Sequence, residues 1–388
     1  MASVGVGIST HYTGKEAARE AALHALDQVG TSRPVWALVF ASDMYTLSDL
    51  HQGLAGSLGP IPYWGFSTPA AFQAEGELTR AVMVMIFTGA DRKVRVYAET
   101  APAAEATAVG KRLIRSVREV TGSSPYAMIL ACNGMSGDPT ALLNGLAGFS
   151  APIYGCVSPF ARPPASGYLI APSANGSTSA IAAVLSGRYR VAAGWGHGWK
   201  PLTSSRRVTG SEENILHRIE NAPAAQFYAE TFNYELEDWT RPPLNEIVRL
   251  YPMGVQSGMF TSELQLRSPV FVRPDGSIEM NTAIPDGKMV KLMLANPDEC
   301  IQQAHAAGQQ ALRELGAARA LFALVFVDSA WRMLFKANPK ALLNAIHEGL
   351  ESLPFAGVYT HGQIVPLRLE APPMLLNQHI QVLVIGEK

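Results

Sequence analysis

The chain is poor in charge, poor in cysteine and free of long apolar runs, and each shortage excludes something. Only 16% of its 388 residues are Asp, Glu, Lys or Arg, and the net charge is −1. Neither half carries a dense Lys/Arg run, so the electrostatic footprint that neutralises a phosphate backbone is missing and nucleic acid is not an expected partner. The longest apolar runs, such as Ala81 to Phe87, are strand-length, far short of the roughly 20 residues a membrane helix needs. The first ten residues lack a basic segment followed by a long apolar core, the mark of a secretion signal. Cys132, Cys156 and Cys300 are widely spaced and odd in number, so they make no disulfide framework. Membrane insertion is not expected, and a cytoplasmic protein is. Catalytic signatures are missing too: no phosphate loop, no dinucleotide glycine fingerprint, no His-Glu-x-x-His, no Gly-x-Ser-x-Gly and no Cys-x-x-Cys.

What the chain does have is a pattern that appears three times. An apolar strand comes first, at Trp36 to Ser42, Ala127 to Asn133 and Ala323 to Ser329. An amphipathic stretch with a Gly-Leu step follows, at Gly53-Leu54, Gly145-Leu146 and Gly349-Leu350. A second strand then carries a central glycine, at Gly65, Gly155 and Gly357. Extended on both sides, each copy reads as a β-α-β-α-β-β unit. The fold class expected is therefore α/β, of a mixed α+β kind, with repeated units forming two layered domains.

The units begin with strands at Val4 to Ser9, Val94 to Glu99 and Val290 to Asn296, and close with strands at Ala81 to Phe87, Ala180 to Gly187 and Ile380 to Gly386. An insert from about Tyr189 to Gly287 separates the second unit from the third, and its Pro274-Asp275-Gly276 step signals a hairpin. The expected domains are 1–220, holding two units, and 221–388, holding the insert and the third unit.

Short polar residues stand just past the strand ends, where α/β proteins keep their ligands. In the first unit they are Ser42, Asp43, Ser67 and Thr68; in the second, Asn133 and Ser158; in the third, Asp328, Ser329, Thr360 and His361. Such side chains hold a ligand's amine and carboxylate, or cap helices and shape turns. Arg332 is placed to clamp a carboxylate or to make an ion pair. The three glycines allow close backbone approach. His361 and His197 are the candidate metal or haem ligands. Strand alternation puts His197 on one face with Trp195 and Trp199, where aromatic walls suit a flat guest. Cys132 and Cys156 read as buried apolar residues; a thiol- or hydroxyl-dependent hydrolase or transferase needs a base within reach of them or of Ser329.

Taken in order, several of these segments resemble one family. Gly5 to Thr10, Ala37 to Ser42 with Ile61 to Thr68, and Ala151 to Pro159 match its N-terminal domain. Tyr251 to Val255, Val270 to Met280, Ala283 to Met293, Leu321 to Ser329 and Ala356 to Pro366, with Asn377 before the last strand, match its C-terminal domain. The chain resembles a FIST protein, of a bacterial sensory family with an N-terminal and a C-terminal FIST domain. Where that family usually has Cys and Arg, Asp328 and Arg332 stand here, and its Tyr-Thr-Tyr-Gly-Glu is Tyr359 to Gln363. The resemblance implies small-ligand sensing, of amino acids or related metabolites, coupled to a separate signalling partner. It also implies, as an alternative, a haem- or iron-dependent nitric oxide sensor regulating a histidine kinase or a cyclic-di-GMP enzyme. The cofactor is unknown on this reading, with haem a candidate.

Overall fold

A computed structural model describes residues 3–89, 92–120, 126–136, 138–159, 167–256, 264–368 and 370–388. The first unit runs strand Val4–Ser9, helix Gly14–Val29, strand Pro34–Ser42, helix Leu47–Leu58, strand Tyr63–Thr68, a two-stranded arm Ala71–Gln73 and Gly76–Leu78, and closing strand Val82–Thr88. The second repeats it with Arg92–Thr100, Ala106–Val120, Ala127–Cys132, Pro139–Asn144, Ile153–Val157, a short arm Leu169–Ile170 and closing strand Thr178–Gly187. The third opens with Tyr189–Gly196. After a long excursion it resumes with helix Pro297–Leu315, strand Arg319–Asp328, helices Ser329–Leu334 and Pro339–Gly349, strand Phe355–Thr360, an arm Gln363–Val365 and Met374–Leu376, and closing strand Ile380–Glu387.

Each unit lays its strands in the order opening, closing, second, third, with the second and third parallel. The outer edge of each third strand is then covered by another unit's arm. Leu169–Ile170 of the second unit pairs with Tyr63–Thr68 of the first, Gln363–Val365 of the third with Ile153–Val157 of the second, and Ala71–Gln73 of the first with Phe355–Thr360 of the third. The exchange closes a ring of three sheets, and it blunts edges that would otherwise offer unpaired backbone to other chains.

The inner faces of the three sheets share one core. Trp64 and Phe66 of the first unit meet Phe326 of the third, and Phe87 meets Phe322. Each such side chain contributes roughly 1.5–3 kcal/mol by leaving water. The outer faces are covered by each unit's own helices, in three separate apolar layers.

The repeated glycines mark close approach. A Cβ on Gly53, Gly145 or Gly349 would overlap the backbone carbonyl of Lys15, Thr107 or His305, so the Gly-Leu step brings each unit's second helix onto its first. The leucine of each step is fully buried. In the third strands, a Cβ on Gly65 or Gly155 would overlap the carbonyl oxygen of Val39 or Leu130, and one on Gly357 would overlap the Phe72 ring of the exchanged arm.

The third unit corrects one sequence expectation. Its opening strand is Tyr189–Gly196, paired with the closing strand over its whole length. The strand at Met289–Ala295 pairs instead with Trp199–Pro201, Arg206–Glu212 and Met253–Gln256. Both segments are apolar and directly precede polar turns, so local pattern does not distinguish them; cross-strand pairing does. The insert therefore spans residues 197–296. It forms its own nine-stranded sheet over a separate apolar core. Strands Pro269–Val272 and Ile278–Met280 form the hairpin whose turn the Pro-Asp-Gly step signals.

Candidate ligand-binding site

The strand-end residues occupy equivalent places in the ring. Ser42 pairs with Thr68 and Asp328 with Thr360. The backbone N–H groups of Ser42, Asn133 and Asp328 donate to a residue at the start of each closing strand, Ala81, Ser179 and His379, at 2.8–3.0 Å. Their side chains do different work. Ser42 Oγ accepts from Met44 N at 3.3 Å, and Asn133 Nδ2 donates to Thr178 O at 3.0 Å. Asp328 is fully buried. It accepts from Ala330 N at 3.0 Å, which caps the helix Ser329–Leu334, from Gln378 N at 3.1 Å and from Arg249 Nη2 of the insert at 3.0 Å.

The third-strand ends hold the arms. Ser67 Oγ accepts from Tyr168 N at 2.9 Å; Thr68 Oγ1 donates to Ala70 O at 2.9 Å and to Tyr359 O at 3.1 Å. Ser158 Oγ accepts from Gly134 N at 3.2 Å. His361 N donates to Val157 O at 2.9 Å, and the His361 ring is kept neutral by burial and by the Arg249 charge. Thr360 Oγ1 donates to Val327 O at 3.3 Å and accepts from Gln363 Nε2 at 2.9 Å. Arg332 Nε and Nη2 both donate to Glu77 of the first unit's arm, at 2.9 and 2.6 Å, with the guanidinium over the Tyr359 ring. Burial raises the Asp43 carboxyl while the charge of Arg332 pulls it down, so Asp43 lies within electrostatic reach of that junction. The structure thus gathers Asp43, Thr68, Arg332 and Tyr359 at one seam, Ser67 with Tyr168 at another, and Ser158 with His361 at a third.

At the strand ends of the second unit, the space lined by Cys132, Asn133, Ser136 and Asp138 measures about 10 Å³, room for about one water. A larger space lies elsewhere. A cavity of about 460 Å³ opens where the end of the third unit's first strand, the insert strand Leu264–Arg267 and the third unit's arm converge. Its lining is Trp195, His197, Leu264 to Arg267, Leu367, Met374 to Asn377 and His379. The volume falls in the range of small-molecule sites.

The polar groups of this lining are few and distinct. Arg267 donates to Leu266 O at 3.1 Å and to Gln265 Oε1 at 3.0 Å, and it has no carboxylate within ion-pair distance among the described residues. Burial lowers its pKa, with Asp138 pulling the other way. Asn377 Oδ1 accepts from Ser268 N at 3.4 Å, whereas its Nδ2 is buried without an acceptor among the described residues. His379 Nδ1 lies 2.6 Å from Asn377 O and donates to it, which leaves the lone pair on Nε2. Burial brings its pKa down to about 3, so the ring is neutral. His197 Nδ1 accepts from Trp199 N at 3.2 Å, which puts its proton on Nε2; the two histidine rings lie 4.6 Å apart.

Alternation pointed to Trp195 and His197, and both line the cavity. Trp199 does not. The strand ends at Gly196, and Trp199 turns into the helix layer against Trp331, donating Nε1–H to Leu250 O at 3.1 Å. Arg267 and His379 went unnoticed in the sequence, because each is a lone residue in an unpatterned segment; Asn377 stood out only through the family resemblance.

The thiols offer no nucleophile. Burial pushes Cys132 and Cys300 up to about 12 and Cys156 well above its usual value, so all three stay protonated at neutral pH. Cys156 lies in the central core and Cys132 in the helix-side layer, on opposite faces of their sheet. Among the described residues no three His, Cys, Asp or Glu side chains gather as a metal site. The His379 tautomer leaves one ring nitrogen, Nε2, with its lone pair in the cavity lining that also holds Arg267. No helix among the described residues is long and apolar enough to cross a membrane.

The FIST N domain profile matches residues 35–222 and the FIST C domain profile residues 224–366. The chain belongs to the FIST family, whose domains are small-ligand sensory domains. No curated protein matches the sequence. Among solved structures, a chorismatase is similar over 100% of this chain and 98% of its own, at 7% identity and a TM-score of 0.37. A cyanuric acid hydrolase from A. caulinodans is similar over 100% of both chains, at 9% identity and a TM-score of 0.40. Likeness at these scores carries no argument about chemistry.

Proposed function

We propose that this chain is a cytoplasmic sensor that binds a small organic molecule, an amino acid or a related metabolite, in the cavity between the third unit and the insert. The observation that carries the reading is the cavity itself: about 460 Å³, walled by apolar side chains, with an arginine and a buried amide that lack full partners among the described residues. The first two units serve as the frame, and the third unit with its insert, from Tyr189 on, as the responsive part. The strand-end residues from Ser42 to His361 act on the ligand through the arms and turns they hold.

Occupancy has a physical route outward. Ser268, next to the cavity strand, accepts from Gln378 Nε2 at 2.8 Å, and the same Nε2 donates to Arg249 O at 2.9 Å. A guest that shifts the cavity strand therefore biases how the insert sits on the third unit. The partner that reads this surface is a separate regulatory protein of the histidine kinase or cyclic-di-GMP enzyme kind.

A second reading rests on the His379 tautomer: His379 Nε2 and Arg267 are the residues that would hold a haem. A bound haem supplies an iron that takes up a diatomic gas; the chain's own part is to present one nitrogen and exclude water. One screen tests both readings. Melting of the purified chain is followed with amino acids, organic acids and haemin. A ligand at 100 times its Kd stabilises by about 2.7 kcal/mol. A saturable rise with an organic compound supports the first reading, a His379-dependent Soret band the second, and neither result removes both.

A further inference from the structure

The polar groups of the cavity are unevenly matched, and the imbalance speaks to the ligand's charge. Arg267 brings a guanidinium whose partners among the described residues are a backbone carbonyl and the neutral Gln265 amide. Asn377 Nδ2 lacks an acceptor among the described residues, but it is buried rather than open to the cavity. His197 brings an Nε2–H, since its Nδ1 is taken by the Trp199 amide. Among the described lining residues there is no Asp or Glu. Asp138, whose field reaches Arg267, is not part of the lining; it is committed to Thr140 N at 2.7 Å and Ala283 N at 3.4 Å.

A site whose described residues offer a fixed cation, neutral donors and no anion discriminates by charge. It satisfies a carboxylate with charge-assisted bonds. It leaves an ammonium beside a like charge with no counter-ion, which is costly once water is excluded. The remaining walls, Trp195 together with the leucines and Met374, call for an apolar or aromatic body. Among the described lining residues, Nε2 of His379 and Oε1 of Gln265 are neutral acceptors; they suit a hydroxyl but do not neutralise an ammonium.

We infer that the ligand of this cavity is an organic acid with an apolar body and no ammonium group, its carboxylate held by Arg267 and its body lying against Trp195. The inference rests on the cavity being the sensory site, and it narrows the ligand within that reading: of the metabolites considered above, it selects acids over the corresponding amino acids.

The test uses the full chain and matched sets of ligands that share one body: 3-phenylpropionate, phenylalanine and phenethylamine; indole-3-propionate, tryptophan and tryptamine; 4-methylpentanoate, leucine and isopentylamine. Binding is read twice, by the rise in melting temperature and by quenching of tryptophan fluorescence, with Trp195→Phe locating the quench. The acid of at least one set binds, and its amine and amino-acid counterparts bind about 10- to 100-fold more weakly, the amine because it loses the charge-assisted pair and the amino acid because its ammonium is left without a counter-ion. Arg267→Met removes that preference, and Arg267→Lys restores part of it; unchanged melting of both variants without ligand shows that they fold.

Three results overturn the inference. The first is an amino acid or amine binding as tightly as its acid, which leaves the cavity as a ligand site and removes only the charge argument. The second is acid binding that Arg267→Met and Trp195→Phe both leave untouched, which moves the site elsewhere. The third is that no carboxylate binds at millimolar concentration, with haemin alone bound through His379.

Discussion

Ser42, Asn133 and Asp328 stand at one position of a threefold repeat, and only the last has become indispensable to a second body of structure. The first unit passes from its opening strand to its helix through residues 10–13, whereas the third does so through residues 197–296. That excursion brings Arg249 down onto Asp328 and the strand Leu264–Arg267 down onto the third unit's arm. Where the repeat is undisturbed, polar strand ends are consumed in holding neighbours together. Where the insert breaks the symmetry, a cavity with unspent donors is left. Function in a repeated scaffold is to be looked for where the copies differ.

The sharpest way to break this comparison is substitution at the equivalent positions. Asp328→Ala leaves Arg249 buried without its carboxylate, a loss of about 3–5 kcal/mol. Asn133→Ala removes one neutral hydrogen bond to Thr178 O, for about 1 kcal/mol. Denaturant unfolding of the two variants measures the difference, and equal losses would contradict the assignment of Asp328 to the seam.

The glycines offer a second contrast. Gly155→Ala meets the Leu130 backbone carbonyl inside its own sheet, whereas Gly357→Ala meets a side chain, the Phe72 ring on the exchanged arm. Gly357→Ala is expected to cost about 1–3 kcal/mol by overpacking, with Gly155→Ala worse. Pairing Gly357→Ala with Phe72→Leu recovers stability if the ring is the obstacle, as a double-mutant cycle of melting temperatures will show.

The smallest effect, per unit of pH, locates the seam by titration. The folded chain keeps His379 neutral down to about pH 3, while the unfolded chain protonates it near its ordinary 6.5. Between those values the unfolded state binds the extra proton, so stability is complete above 6.5 and falls as the pH drops through that window. The slope is about 1.4 kcal/mol per pH unit for each such group. His197 and His361 are shifted in the same direction by burial. Equilibrium unfolding between pH 7 and pH 5 should show this slope, and His379→Gln should flatten it; an unchanged slope would place the acid sensitivity outside the seam.

Much of the scaffold was legible. Continuous apolar runs marked the strands at Pro34–Ser42, Ala127–Cys132 and Arg319–Asp328, and the Gly-Leu step marked the helix that packs beside each. The arms were not legible as an exchange, because strands of two or three residues carry no period and pair with segments far away in the chain. The third unit's opening strand was misread for a related reason: the insert separates it from its helix, and a neighbouring strand of similar composition takes its place in the linear pattern.

The sequence by itself determined the threefold recurrence, the identity of the core strands and the membership in a sensory family, because apolar periodicity and close-packing glycines are local properties of the chain. Only the tertiary structure decided which polar residues were already spoken for and which remained available. That depends on whether an arm from another unit, or an arginine from the insert, arrives to satisfy them, and such partners are set by long-range pairing. Trp195, Arg267 and His379 come from three separate stretches and become one site only when the ring has closed and the insert has folded over it.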